Sequence, residues 1–247
     1  MRRALLALIL SALALPALAQ TIDGPEEYRV CLVMAKDKPE QGWEEALTWQ
    51  SLGGGEAARH CGAVALIGLG KYAEAATRLE TLANESVRED GVRAQMLAQA
   101  AQAWMLAGKL QRADAAQRGA LILAPGDPEI LLDHAVLLAQ VHHYNEVVDI
   151  LTGLLRRQPH RVEALVLRAS AFRYQDNLPG ARDDVEQALK LDPDFPDALL
   201  ERGILKRLTG DDAGARADWR RAIEVAPHTE AAETARLNIQ KMEMKAK

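Results

Sequence analysis

The sequence predicts an all-α chain, a solenoid in which antiparallel helix pairs stack one on the next. Three observations carry this reading. The segments G-D-P-E-I-L-L-D-H-A (126–135), H-R-V-E-A-L-V-L-R-A (160–169) and D-F-P-D-A-L-L-E-R-G (194–203) superpose at an interval of 34 residues. Pro125, Pro159, Pro193 and Pro227 keep that interval, each where an apolar-periodic segment stops. Proline cannot continue a helix, so each one closes a unit and lets another begin. Small residues recur in the same register: Ala101, Ala135, Ala169 and Gly203 in the first helix of each unit, and Ala113, Val147, Ala181 and Ala215 in the second. Two helices approach closely only where side chains are small, so these positions mark helix–helix contacts. A fixed period of this length is the mark of a repeat architecture.

The elements follow in order along residues 20–247, read as a single domain. Residues 22–55 hold an N-terminal pair, Glu26 to Ala35 and Gly42 to Gln50, ended by Gly53-Gly54-Gly55. Residues 56–93 hold a second pair, marked by Ala63, Leu66, Gly70, Tyr72, Ala75, Leu79 and Leu82. Asn84 to Gly91 reads as a connector about four residues longer than the others. Four regular units follow at 94–127, 128–161, 162–195 and 196–229. Leu97, Leu131, Leu165 and Leu199 form one apolar series in them; Trp104, Leu138 and Phe172 form another, which departs to Lys206. Leu110, Tyr144 and Leu178 repeat at the entry to the second helix. Apolar residues three and four apart give each helix one buried face. The hairpins turn at Gly108 and Gly210 with glycine, and at His142-His143 and Asp176-Asn177 without it, which glycine would do more cheaply. Residues 230–247 read as a capping helix with one polar side, as the last element of a solenoid needs.

The first nineteen residues read as an export signal. Arg2 and Arg3 precede an apolar run from Ala4 to Leu15, Pro16 breaks it, and Ala17-Leu18-Ala19 places the cut after Ala19. The run is short for a membrane span and no later stretch is longer, so no stable membrane insertion is expected. This points to a bacterial periplasm. Asn84-Glu85-Ser86 matches a glycosylation acceptor and keeps a eukaryotic secreted protein open. The full chain has 30 basic and 35 acidic residues; losing Arg2 and Arg3 leaves 28 against 35, a net charge of −7. That balance argues against nucleic acid or an anionic membrane as partner. Cys31 and Cys61 are the only cysteines and lie about one repeat apart, so in an oxidising compartment they are expected to form a disulfide stapling the first pair to the second.

The 34-residue interval, the small residues at fixed offsets and the closing proline resemble the tetratricopeptide repeat family from Glu56 to Pro227. The resemblance implies a right-handed superhelix of helical hairpins whose concave groove is lined by the first helices, and a function in binding another protein. Carried over by position, the groove takes Gln95, Ala98, Gln102, Met105 and Leu106; then Glu129, Leu132, Val136, Ala139 and Gln140. Glu163, Val166, Ser170, Arg173 and Tyr174 follow, then Asp197, Leu200, Ile204, Arg207 and Leu208. Its polar markers are Gln102, Gln140, Arg173, Tyr174 and Arg207. Arg173 and Arg207 are expected to anchor an acidic group and Tyr174 to make an aromatic contact. The lysines and asparagines with which some members clamp a terminal carboxylate are missing at the matching places.

Chemistry has little to build on. No H-E-x-x-H, nucleophile elbow or phosphate loop is present, and the histidines spread over several units, so no catalytic residue, metal or cofactor is expected. Asp183-Asp184 reads as solvated helix-face charge, and Asp211-Asp212 as carboxylates at a helix start. The function expected is a periplasmic scaffold or adaptor that holds a peptide or helix of an envelope protein in its groove. A self-associating structural envelope protein, a homodimer included, is the alternative. An enzyme or carrier acting on cell wall is the weaker third.

Overall fold

The computed structural model describes residues 24–245; the predicted export signal lies outside the described residues. They form thirteen helices and no strand: α1 (Gly24–Asp37), α2 (Pro39–Ser51), α3 (Gly55–Gly68), α4 (Tyr72–Glu85), α5 (Asp90–Leu106), α6 (Leu110–Leu123), α7 (Pro128–Gln140), α8 (Tyr144–Arg157), α9 (Val162–Tyr174), α10 (Leu178–Leu191), α11 (Pro196–Leu208), α12 (Asp212–Val225) and α13 (Glu230–Lys245). From α3 onward each odd helix pairs with the next, and each second helix also packs on the first helix of the following pair. First helices touch one another directly, α5 with α7, α7 with α9, α9 with α11 and α11 with α13. That contact puts the first helices on the inner rank of the stack.

Local sequence explains the boundaries. Pro125, Pro159, Pro193 and Pro227 each stand two residues beyond the end of a second helix. Asp127 accepts from the N–H groups of Glu129 and Ile130 and so caps α7, with Pro128 at the first helical position. Asn177 caps α10 and Asp211 caps α12 through the N–H groups of Gly180 and Gly214. From α3 onward each hairpin turn places its second residue beyond the helix at positive φ: Gly70, Gly108, His142, Asp176 and Gly210. The residue after each donates back to a carbonyl near the helix end, as Lys109 N does to Trp104 O at 2.9 Å and Asn177 N to Phe172 O at 2.9 Å. This is the Schellman closure, which satisfies carbonyls that the helix end leaves open.

One boundary differs from the sequence reading. The segment from Asn84 to Gly91 is not a long connector. α4 runs through Glu85 and α5 starts at Asp90. α5 has 17 residues where α7 has 13, so the extra residues make one more helical turn. Asp90 and Arg93 form an ion pair on that turn, and Arg93 donates to the carbonyl of Ala83 across the connector.

The core is built from the repeating small residues and the large ones they admit. Ala101, Ala135, Ala169, Ala113, Val147, Ala181 and Ala215 are all buried. Gly203, the odd member of its series, faces Trp219: a Cβ there would stand 2.3 Å from Trp219 Nε1. Trp219 is buried and donates to the carbonyl of Leu200. Trp49 packs within the N-terminal pair against Tyr28, and Trp43 reaches the next pair, beside Gly62 and Arg78. The position filled by Leu151, Val185 and Trp219 in later units holds Gln117 in α6. Its amide is buried and donates to the carbonyl of Ile130 in α7 at 2.7 Å.

Charge also enters the core. Arg168 grips Asp184 with two bonds of 2.7 and 2.8 Å, and one unit later Arg202 grips Asp218 in the same way, with Lys206 on the same carboxylate at 2.8 Å. Asp184 and Asp218 are buried. Asp184 is therefore not the solvated helix-face charge that the sequence suggested: it sits at the contact of α9 and α10, where the guanidinium of Arg168 answers it. Lys206, which breaks the Trp104, Leu138, Phe172 series, does so to serve Asp218.

Cys31 of α1 and Cys61 of α3 are buried and face each other in disulfide geometry, their Cα atoms 6.1 Å apart. Beside them His60 links three helices. The Tyr28 hydroxyl donates to its Nδ1 (2.8 Å) and its Nε2 donates to Gln99 Oε1 (2.7 Å).

Candidate functional site

The inner face of the first helices is the candidate site. Because the units repeat every 34 residues, each helix presents the same positions to it and the side chains form rows. The row from the first helical turn holds Glu129, Glu163 and Asp197, all exposed. The row from the last turn holds Leu106, Gln140, Tyr174 and Leu208. Leu106, Tyr174 and Leu208 are 58, 56 and 58% exposed, and Val136 on the floor is 37% exposed. Ala98 and Val166, placed in the groove by position, are buried beneath this surface. What remains is a discontinuous apolar strip with polar residues beside it.

The markers expected from the sequence fall into different situations. Gln140 is exposed. Gln102 donates to Asp133 Oδ2 of the next first helix at 2.8 Å. Arg173 is not free to anchor a partner's acid. Its Nε meets Glu201 Oε1 at 2.5 Å, its Nη2 meets Glu201 Oε2 and the Ser170 hydroxyl, and the two charged side chains are only 15 and 7% exposed. Burial disfavours its charge, but the hydrogen bond and charge of Glu201 outweigh that and hold its pKa above the ordinary arginine value. Arg207 is paired with Asp212 at 2.6 Å, in a more exposed bridge. Tyr174 lies flat on Tyr144, ring centroids 4.5 Å apart and planes within 4°, and the Arg173 guanidinium stands 4.3 Å from its ring centre. The ring is exposed but fixed in place.

Position placed Asp197 in the groove but did not reveal Asp133 and Glu201 as determinants of the site. Asp133 and Glu201 occupy the same place in units two periods apart, a coincidence visible in the sequence. In one unit that carboxylate meets Gln102, in the other Arg173. Burial raises the pKa of Asp133 against the lowering effect of the Gln102 bond, and the nearby charges of Glu129 and Asp127 raise it further. Burial raises Asp197 too, a backbone hydrogen bond lowers it, and Glu230 adds to the rise. At the α7–α8 turn His142 bonds the Tyr144 hydroxyl and His143 lies within ion-pair distance of Glu146. Among the described residues no three His, Cys, Asp or Glu side chains converge as a metal site requires, and no helix is long and apolar enough to cross a membrane.

Comparisons with known proteins agree with this architecture. No family model matches the chain. Tetratricopeptide repeat protein 36 of Danio rerio is 34% identical over 90 residues, 35% of this chain and 44% of that protein. The chain spans half or less of the length of the curated relatives it matches. Among solved structures, a tetratricopeptide repeat protein from Parabacteroides merdae superposes with a TM-score of 0.68 at 15% identity, covering 88% of this chain and 84% of the other. YrrB, described as a tetratricopeptide repeat protein with an unusual peptide-binding site, superposes with a TM-score of 0.52 at 14% identity, covering 72 and 90%. At such identities the likeness is one of fold. With the 34-residue period, the closing prolines and the paired helices, it shows that this chain has the tetratricopeptide-repeat-like solenoid fold.

Proposed function

We propose that the protein is a holding module: it binds a peptide or helix of another protein along the inner face of its first helices and performs no chemistry of its own. The observation that carries this is the set of exposed apolar side chains on that face, Leu106, Tyr174 and Leu208 in one row of the repeat and Val136 on the floor beside it. Repeats that stack only on their neighbours leave such a face continuous, and apolar side chains fixed on rigid helices are what an extended segment or amphipathic helix packs against. The peptide-binding site named for YrrB occurs on the same fold and supports the reading. We place the protein in the periplasm, after removal of residues 1–19. The basic start, short apolar run and Ala17-Leu18-Ala19 support export, and Cys31–Cys61 suits an oxidising compartment.

The test is crosslinking capture of the mature protein from its native envelope extract, beside a Val136→Asn/Leu208→Asn variant of matched helicity. These side chains are exposed and belong to no ion pair, so the variant changes the face and spares the core. A partner held by the wild type and lost by the variant supports the groove. The same partners on both proteins, or capture of its own copies alone, overturns it.

A further inference from the structure

The sign of the groove's charge follows from which charges are already matched. Its arginines are all answered within the chain: Arg161 by Glu129 and Glu163, Arg173 by Glu201, and Arg207 by Asp212. Its acids are not. Glu129 and Glu163 share the single guanidinium of Arg161, and among the described residues Asp133 and Asp197 form no ion pair; the charges that act on them, Glu129 and Asp127 on the first and Glu230 on the second, are acidic. At the far end Lys241 of α13 lines a cavity with Arg207 and Asn238. Along α7 to α11 the exposed apolar side chains of Val136, Tyr174 and Leu208 therefore share the inner face with Asp133 and Asp197, which form no ion pair among the described residues. Carboxylates beside charges of their own sign gain from an arriving cation and repel an arriving acid.

We infer that the groove takes a cationic amphipathic segment of a partner protein. Its lysines or arginines meet Asp133, Asp197 and the Glu129–Glu163 edge, and its apolar side chains cover Val136, Tyr174 and Leu208. This rests on the groove being the binding face, and it reverses the sign of partner that Arg173 and Arg207 suggest in the sequence. The pKa values of Asp133 and Asp197 are raised first by burial and then by neighbouring acids, in the direction a cation would offset.

The test uses a displayed library of random 16-residue segments, selected in parallel on the mature wild type, on Asp133→Asn/Asp197→Asn and on Val136→Asn/Leu208→Asn. Asparagine at 133 keeps an acceptor for Gln102, so the first variant removes charge and leaves the fold in place. Enriched segments should be net positive with interleaved apolar residues. Measured singly by fluorescence anisotropy, they should bind the double-aspartate variant about tenfold more weakly and lose affinity as salt rises. Enrichment of neutral or acidic segments, failure to enrich any, or less than a twofold change on removing the two aspartates overturns the inference. If neutral or acidic segments win and are still lost on Val136→Asn/Leu208→Asn, the groove stands and only the sign is wrong. Segments indifferent to both variants bind elsewhere and overturn both.

Discussion

Replacing Asp176 by glycine should stabilise the protein, and the turns supply their own controls. Gly108, His142, Asp176 and Gly210 occupy one position in four successive hairpins, with φ of +68°, +62°, +59° and +87°. In that region a side chain beyond glycine costs about 1–2 kcal/mol, Asp falling near the low end. Glycine removes this cost but brings roughly 0.5–1 kcal/mol of extra unfolded-state entropy. With Asp at about 1 kcal/mol, the balance for Asp176→Gly is a gain of up to about 0.5 kcal/mol. His142→Gly also gives up the bond to Tyr144, which leaves it near zero. The reverse change is the stringent control. A Cβ at Gly108 meets nothing within 4 Å, so Gly108→Ala carries only the backbone term and should lose about 1 kcal/mol. The assay is urea unfolding with equal m-values across variants, supported by melting shifts of about 2–4 °C per kcal/mol. Loss of stability in Asp176→Gly, or Gly108→Ala within 0.3 kcal/mol of wild type, would refute the reasoning, the threshold being about half an ordinary surface effect.

Glu201→Ala should cost about 3–5 kcal/mol in urea unfolding by stranding the buried Arg173, and Arg173→Leu/Glu201→Leu should recover much of that; equal losses would mean the charges are not coupled. Cys31→Ala/Cys61→Ala should lose about 3–4 kcal/mol for a closure spanning 30 residues, and a reductant should bring the wild type down to the variant; identical melting of both proteins without reductant would show that the bond contributes nothing. Burial lowers the pKa of His60 and of His134 below the usual 6.5, so between the folded and unfolded values the unfolded chain binds more protons. Stability should therefore fall as pH drops through about 6.5, with a shallower slope in His60→Gln; an unchanged slope would remove His60 from the account.

The repeat was legible because each unit states it again. Leu97, Leu131, Leu165 and Leu199, the small-residue series and the four prolines mark helix faces and ends by pattern alone. The site was less legible, since a row of positions says which side chains point inward but not which of them are already engaged. Arg173 looked like an anchor because Glu201, 28 residues on, is a neighbour only in three dimensions. The same blindness hid Asp184. Its partner Arg168 lies 16 residues back, and the spacing recurs in Arg202 and Asp218, so the repeat of that offset was a usable signal. The added turn of α5 was lost because Glu89-Asp90-Gly91 reads locally as loop, whereas Arg93, tied to Ala83 and Asp90, stands at its base.

Gln117 bears on how the chain assembles as well as on how it packs. Hairpins so alike offer a folding chain many near-equivalent docking choices, and apolar seams discriminate poorly among them. The seam between α6 and α7 is different, because a buried amide must find the carbonyl of Ile130 or remain unsatisfied. A hairpin seated out of register there would strand that amide, so one polar contact pins the register of a seam that apolar packing alone would leave free to slide.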